Sequence, residues 1–351
     1  MPAQISPGSP RSNFALVFVI LAMIVLPAAL TLTRVRVSSV VDVSSSPNPS
    51  PYGYTVSLLL FLVPILAVGG WLVPQDHVKI SKQSFLATIA ILFPLGVALD
   101  FFFAHLFLKF PNLDATAHIP APALGLVDEG VNHASDHIFL GSPGHVVIGS
   151  VPIEEYVFYF SGFIAVLLLY LWLDEYWLAA YSIPASGEER ANFKRLLRFH
   201  PQSLLLGIAL IGAAILLRPV LTSHAPGFPG YFVFLVLGAL GPSTLLFPAA
   251  LPVINWRAFS LTLFVILLMS LLWEATLGVP YGWWGYQPSQ MIGLRITAWD
   301  DLPIEAVCVW IAVTYATVIL YEVLKCWRAS GKQMRQAFLG EPGHLREVLP
   351  R

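Results

Sequence analysis

Charge is scarce in this chain. Of its 351 residues only 11% are Asp, Glu, Lys or Arg, against roughly 25% in a soluble globular domain. That shortage excludes an ordinary soluble enzyme, and a hydrophobic content of 57% excludes disorder. The net charge of -1 leaves no electrostatic footprint for nucleic acid. Cysteine is almost absent: Cys308 and Cys326 alone support neither a disulfide scaffold nor a cysteine–zinc cluster. A G-x-G-x-x-G fingerprint is missing, so no dinucleotide cofactor is expected. Alternating apolar and polar positions, the mark of a membrane barrel, are missing too.

Long apolar runs fill the space that charge leaves. A membrane span needs about 20 mostly apolar residues. Eight segments qualify: 14–32, 54–73, 85–108, 153–173, 203–221, 230–251, 259–279 and 303–324. Backbone polar groups in hydrocarbon must be satisfied within the segment, which makes each of them a helix. The first segment, with Arg11 before it and Pro27-Ala28-Ala29 near its end, also fits a secretory signal. Its apolar run is long for a signal core, and it is read as a span.

Lys and Arg orient the spans. With both termini in the cytoplasm, the cytoplasmic pieces hold Arg11, Lys79, Lys82, Arg190, Lys194, Arg195, Arg198, Arg257, Lys325, Arg328, Lys332, Arg335, Arg346 and Arg351. These are 14 of the 19 basic residues; Arg34, Arg36, Lys109, Arg218 and Arg295 stay outside. The expected location is the cell membrane, as a multi-pass protein.

The spans repeat. Asp100 lies 15 residues after Phe85, and Glu274 lies 15 residues after Phe259. Each acid is followed by an outer loop and then by a helix opening with one tripeptide: Pro152-Ile153-Glu154, with Glu155 next, and Pro303-Ile304-Glu305, with Ala306 next. The expected fold is therefore all-α and polytopic, with about eight transmembrane helices in two similar four-helix halves. The first half covers 1–185 with a long outer loop at 109–151, the cytoplasmic linker 186–202, the second half 203–328, and a basic tail 329–351. Pro at the first turn and Glu beside the positive end of a helix dipole are ordinary features of a helix start. Their recurrence after a second mid-span acid points to function, because carboxylates are rarely kept in spans.

Asp100, Glu154, Glu155, Glu274 and Glu305 all fall in the outer half of the membrane; at 1.5 Å per residue the two mid-span acids lie roughly 22 Å from the cytoplasmic end. Crowding among apolar groups and like charges favours a protonated carboxyl, which is a general acid at neutral pH. Aromatic residues crowd the same level, among them Phe102, Phe158, Trp273, Trp284 and Tyr286. Part of this set forms an interfacial belt; the rest can line a cavity and stabilise a carbocation through ring faces. Acids, an aromatic cage and a lipid setting suggest protonation of an alkene in a lipophilic substrate, followed by cyclisation or hydration. A proton-coupled carrier also places acids in spans and is the non-enzymatic alternative.

The outer loop of the first half is rich in histidine. His133 and His137 are four apart, a spacing that metal sites on helices use. Pro120, Pro122 and Pro143 interrupt the same loop and a third ligand is unspecified, so a solvated loop is preferred and no metal is assigned. A metal-dependent lipid-modifying enzyme is the alternative that these histidines keep open.

At its acidic motifs the chain resembles the integral-membrane lycopene cyclase domain family. The resemblance is carried by Leu99-Asp100, Gly149, Val151-Pro152-Ile153-Glu154-Glu155 and Phe158 in the first half. In the second half it is carried by Trp273-Glu274, Trp284-Gly285-Tyr286-Gln287-Pro288-Ser289, Gly293 and Leu302-Pro303-Ile304-Glu305. It spans roughly residues 54–175 and 230–324. The resemblance implies two homologous three-helix units, each with a Pro-x-Glu-Glu-type motif, and redox-neutral, proton-initiated cyclisation of a linear carotenoid end group. Membrane lipid and a lipophilic isoprenoid are then the partners, without nucleic acid, and a homodimer is left open. It implies catalytic roles for Glu154, Glu155, Glu305, Asp100 and Glu274, with Glu154 or Glu305 as proton donor and Asp100 and Glu274 orienting it or stabilising the cation. Trp273, Trp284, Tyr286, Phe158 and Phe102 become the substrate-binding set. The chain departs from the pattern at Ala306, in the longer first outer loop, and in one extra span before each three-helix unit.

Overall fold

A computed structural model describes residues 51–75, 81–126, 146–181, 194–223 and 227–340. The expected first span, His133, His137, the 186–193 part of the 186–202 linker and the end of the tail lie outside the described residues. The described protein is mostly helical. Its helices are α1 (Gly53–Leu72), α2 (Lys82–Phe107), α3 (Ile153–Trp172), α4 (Pro201–Leu221), α5 (Gly230–Leu245), α6 (Phe247–Ala250), α7 (Trp256–Trp273), α8 (Glu305–Ala329) and α9 (Met334–Leu339). A π-helical turn, Leu173–Trp177, continues α3, and a second, Glu274–Gly278, continues α7.

Six of these helices are long and apolar enough to cross a membrane: α1, α2, α4 and α8, and α3 and α7 with their π turns. That agrees with a membrane protein. The expected span at 230–251 is instead a helix of 16 residues followed by the four-residue α6. Pro248 explains the break. It has no N–H for the carbonyl of Thr244 four residues earlier, and that carbonyl accepts from His200 N (2.8 Å) while the Leu245 carbonyl accepts from Arg198 N (3.0 Å). The chain entering α4 thus uses the carbonyls that the broken helix frees.

Helix starts follow the sequence closely. The Ser81 side chain accepts from Ser84 N at the start of α2, and Asn255 caps α7 through Ala258 N. At α4, His200 accepts from Ser203 N and Pro201 takes the first turn, where a missing N–H costs nothing.

The motif helices α3 and α8 occupy the centre. α3 packs against α1, α2, α7 and α8, and α8 packs against α2, α3, α5 and α7. Leu167, Tyr170, Ile319 and Tyr321 are fully buried between them. By contrast α1 and α4 bury little, and side chains such as Leu60, Leu216 and Val220 face outward. At one end of α3 and α8 a buried polar net joins them: Tyr170 donates to Glu322 (3.0 Å), Lys325 pairs with Glu322 (2.6 Å), and Asn255 donates to Asp174 (2.8 Å).

Short strands cover the other end. β1 (Leu108–Lys109) leaves α2 and pairs with β4 (Gly285–Tyr286), with Leu108 opposite Tyr286. β2 (Pro120–Leu126) pairs with β3 (Val146–Pro152), and β5 (Arg295–Ile296) with β6 (Leu302–Pro303), all antiparallel. Both motif prolines therefore end a strand, Pro152 opposite Pro120 and Pro303 opposite Arg295, and each strand runs directly into its motif helix. The β1–β4 pair ties the end of α2 to the loop after α7, which fixes the height at which that loop crosses the bundle.

Candidate functional site

The two Pro-Ile-Glu motifs make the same pair of contacts. Ile153 N donates to the carbonyl of Ile119, and Ile304 N donates to that of Leu294, each at 3.0 Å. Two residues before those carbonyls, Ala117 N donates to Glu154 (2.7 Å) and Ile292 N donates to Glu305 (2.6 Å). Each glutamate is thus a clamp on the loop that precedes its helix. A carboxylate that takes a backbone N–H at a helix start gains both the hydrogen bond and the helix dipole. Glu154 accepts a second bond from the Thr55 hydroxyl. Both clamps are buried, and Oε2 of each has no hydrogen-bond partner among the described residues.

One residue further on, the motifs differ. Glu155 turns toward a cavity between the central helices, and its Oε2 accepts from the Tyr54 hydroxyl at 2.8 Å. Ala306 at the matching position is fully buried and carries no polar group. The second acid on the cavity is Glu274, placed by the start of the π turn that continues α7. Turns of this kind recur at functional sites, because the extra residue re-aims side chains. Glu274 accepts from Trp310 Nε1 (3.2 Å) on one oxygen and from the Tyr286 hydroxyl on the other. Both oxygens are therefore engaged as acceptors, which stabilises the carboxylate form once a proton has left.

Of the sequence-predicted acids, Glu155 and Glu274 line the cavity and are within electrostatic reach of each other. Asp100 is buried beside Glu155, close enough to repel it, with Oδ2 unbonded among the described residues. Glu154 and Glu305 do not line the cavity. Glu305 lies instead near Arg218 and Cys308, under the loop at Ile292.

Of the predicted aromatics, Phe158, Trp284 and Tyr286 line the cavity with Tyr54, Tyr159, Tyr231, Leu108 and Val309. Trp273 packs behind them, its ring 5.3 Å from Phe158 and 4.9 Å from Trp284. Phe102 does not join this wall and is 54% exposed. Phe101, Phe102 and Phe103 are consecutive on α2, and a helix turns about 100° per residue, so the three point apart; Phe103 stacks on Phe107 while Phe102 faces out.

Several site residues went unselected in the sequence. Tyr159 was within reach, since it lies four residues after Glu155 on one helix face. Trp310 is five residues beyond Glu305. Tyr54 and Tyr231 come from other helices, and no local spacing links them to the motifs. Among the described residues no group of His, Cys, Asp and Glu is arranged to hold a metal ion, and His133 and His137 lie outside them.

The cavity measures about 20 Å³, room for about one water. Its walls are aromatic rings and hydroxyls, its two carboxyls come from different helices, and the lining carries no basic side chain. Such a chamber can hold or move a proton and can face a positive charge. Compared with known proteins, the chain matches no family model, no curated protein and no solved structure.

Proposed function

We propose that the protein is a membrane-embedded, redox-neutral cyclase for a carotenoid or related isoprenoid end group, with the cavity between α3, α7 and α8 as its reaction chamber. One observation carries the reading: Glu155 and Glu274, from the two motif-bearing regions, share an aromatic-walled cavity deep among apolar helices. The matched contacts of the Ile153–Glu154 and Ile304–Glu305 motifs support a duplicated architecture. On this reading the chain has eight spans in two four-helix halves, with α5 and α6 together serving as the one at 230–251, sits in the cell membrane and keeps both termini in the cytoplasm.

In the proposed reaction Glu274 gives its proton to a terminal carbon–carbon double bond. The O–H bond breaks, a C–H bond forms, and the adjacent carbon becomes cationic. Tyr286 and Trp310 then hold the carboxylate left behind, through the hydrogen bonds already present. A second double bond of the chain attacks the cation and closes the ring. The faces of Phe158, Trp273 and Trp284 lower the energy of the positive charge. Glu155, as carboxylate, removes a proton from the ring cation, which restores a double bond and leaves the redox state unchanged. The donor role moves from Glu154 or Glu305 to Glu274 because the clamps are turned to their loops. An isoprenoid end group is far larger than one water, so the rings around the cavity swing aside when it enters.

Membranes containing the protein, supplied with lycopene and no nicotinamide or flavin, test the reading. Ring-closed product is expected. Linear lycopene recovered unchanged from membranes in which the protein is folded contradicts it, and proton-driven solute uptake in that case identifies a carrier.

A further inference from the structure

A second and larger space, about 600 Å³, opens on the strand-covered end of the bundle. Arg218, Arg295, Asp300 and Asp301 contribute its charged groups, and exposed Pro288, Ser289, Leu294 and Asp301 lie along it, so water reaches it. Asp300 keeps its proton above the ordinary aspartate range, through burial first and the neighbouring Asp301 second. Among the described residues, Tyr286 is the one residue shared by the linings of this cleft and of the inner cavity. Its position is fixed by backbone pairing with Leu108 and by the bond from Gln287 N to the Phe107 carbonyl (2.8 Å). Its hydroxyl donates to Glu274.

We infer that Tyr286 is a proton relay between the water of the outer cleft and Glu274. A phenol has one hydrogen to donate and two lone pairs. The hydrogen points at Glu274, and on this inference the oxygen's lone pairs receive a hydronium ion or water that enters from the cleft side of the residue. Transfer is concerted. The phenol O–H bond breaks as the Glu274 O–H bond forms, and the phenol oxygen takes a replacement proton from cleft hydronium, which leaves water. The tyrosine is neutral before and after. Burial and the nearby Glu274 hold the Tyr286 phenol well above its ordinary pKa, which suits a hydroxyl that passes protons without resting as phenolate. The cleft thus reloads the acid after each donation.

The inference extends the acid role proposed for Glu274, and its test omits substrate, so a failed relay and a failed cyclase are distinguishable. The purified full chain is taken through a rapid jump from acid to neutral pH. The carboxyl and carboxylate infrared bands that vanish in Glu274→Gln are then followed. Tyr286→Phe, which keeps the ring and loses the hydroxyl, should slow the response of those bands by about a hundredfold, as expected for loss of one positioned proton-transfer group. Ser289→Trp, a plug at the mouth of the cleft, should slow it with the hydroxyl intact. Tyr156→Phe, which removes a hydroxyl bonded to the Pro122 carbonyl (2.5 Å), should leave it unchanged. An unchanged rate in Tyr286→Phe, or Glu274 bands that respond to no pH jump in the native protein, overturns the relay.

Discussion

The segments 152–159 and 303–310 begin alike and diverge after three residues. Each runs from a strand-ending proline into a buried helix, and each uses its first glutamate to hold a loop backbone N–H. Then the first presents Glu155 to the cavity, while the second has Ala306, packed without exposure. The second region supplies its cavity acid from the preceding helix, through Glu274, whereas Asp100 at the matching depth stays off the cavity wall. Like scaffolding thus surrounds unlike chemistry. A shared motif marks how the loops are tied down, and the acids that face the chamber stand beside it.

The comparison breaks most visibly at the cavity acids. Glu155→Gln and Glu274→Gln should each lower ring-closed product by about a hundredfold or more, the usual worth of a positioned acid or base; product is measured by chromatography of membrane extracts. Next in size is Ala306→Glu, which puts a carboxyl into a fully buried position. It should cost about 3–5 kcal/mol, as an unpaired buried charge does, and appear as a large fall in Tm in detergent. An Ala306→Glu protein as stable as the native one would show that the two motifs are interchangeable.

Smaller effects sharpen the division between clamps and cavity. Glu305→Gln leaves a weaker acceptor for Ile292 N, and Glu305→Ala leaves that buried N–H with none. The alanine variant should lose about 1–3 kcal/mol of stability, while its folded fraction keeps cyclase activity within a few-fold. Gly278→Ala would drive a methyl group into the Trp284 ring. Overpacking of this kind costs about 1–3 kcal/mol, and the displaced cavity wall should reduce product yield more than stability. Phe102→Ala, on an exposed face, should change stability by no more than about 0.5 kcal/mol and leave product unaltered.

Much of this was legible in the sequence, for identifiable reasons. Apolar length located the long helices, because a span must satisfy its own backbone. The recurrence of a mid-span acid and a Pro-Ile-Glu start located both acidic regions, and Glu155 and Glu274 were among the five acids selected. Which acids face the cavity was not legible. Glu154 and Glu155 differ by about 100° around α3, and the direction of each is settled by Ala117, Thr55 and Tyr54, which the chain brings from elsewhere. The break in α5 depends on a proline whose missing N–H is answered by His200, 48 residues upstream of Pro248. Phe102 was selected for its company on α2, yet adjacent helical positions cannot share a face. Tyr54 and Tyr231, which complete the cavity, entered through tertiary packing alone.

The most direct test of the central claim is deuterium incorporation. Lycopene is supplied to membranes in heavy water, and the product of the native protein is compared with those of Glu155→Gln, Glu274→Gln, Glu154→Gln and Glu305→Gln. The account predicts a ring-closed product carrying solvent deuterium, lost with either cavity acid and retained with either clamp variant. Loss of product in the Glu154 and Glu305 variants, with full yield from those of Glu155 and Glu274, would contradict it.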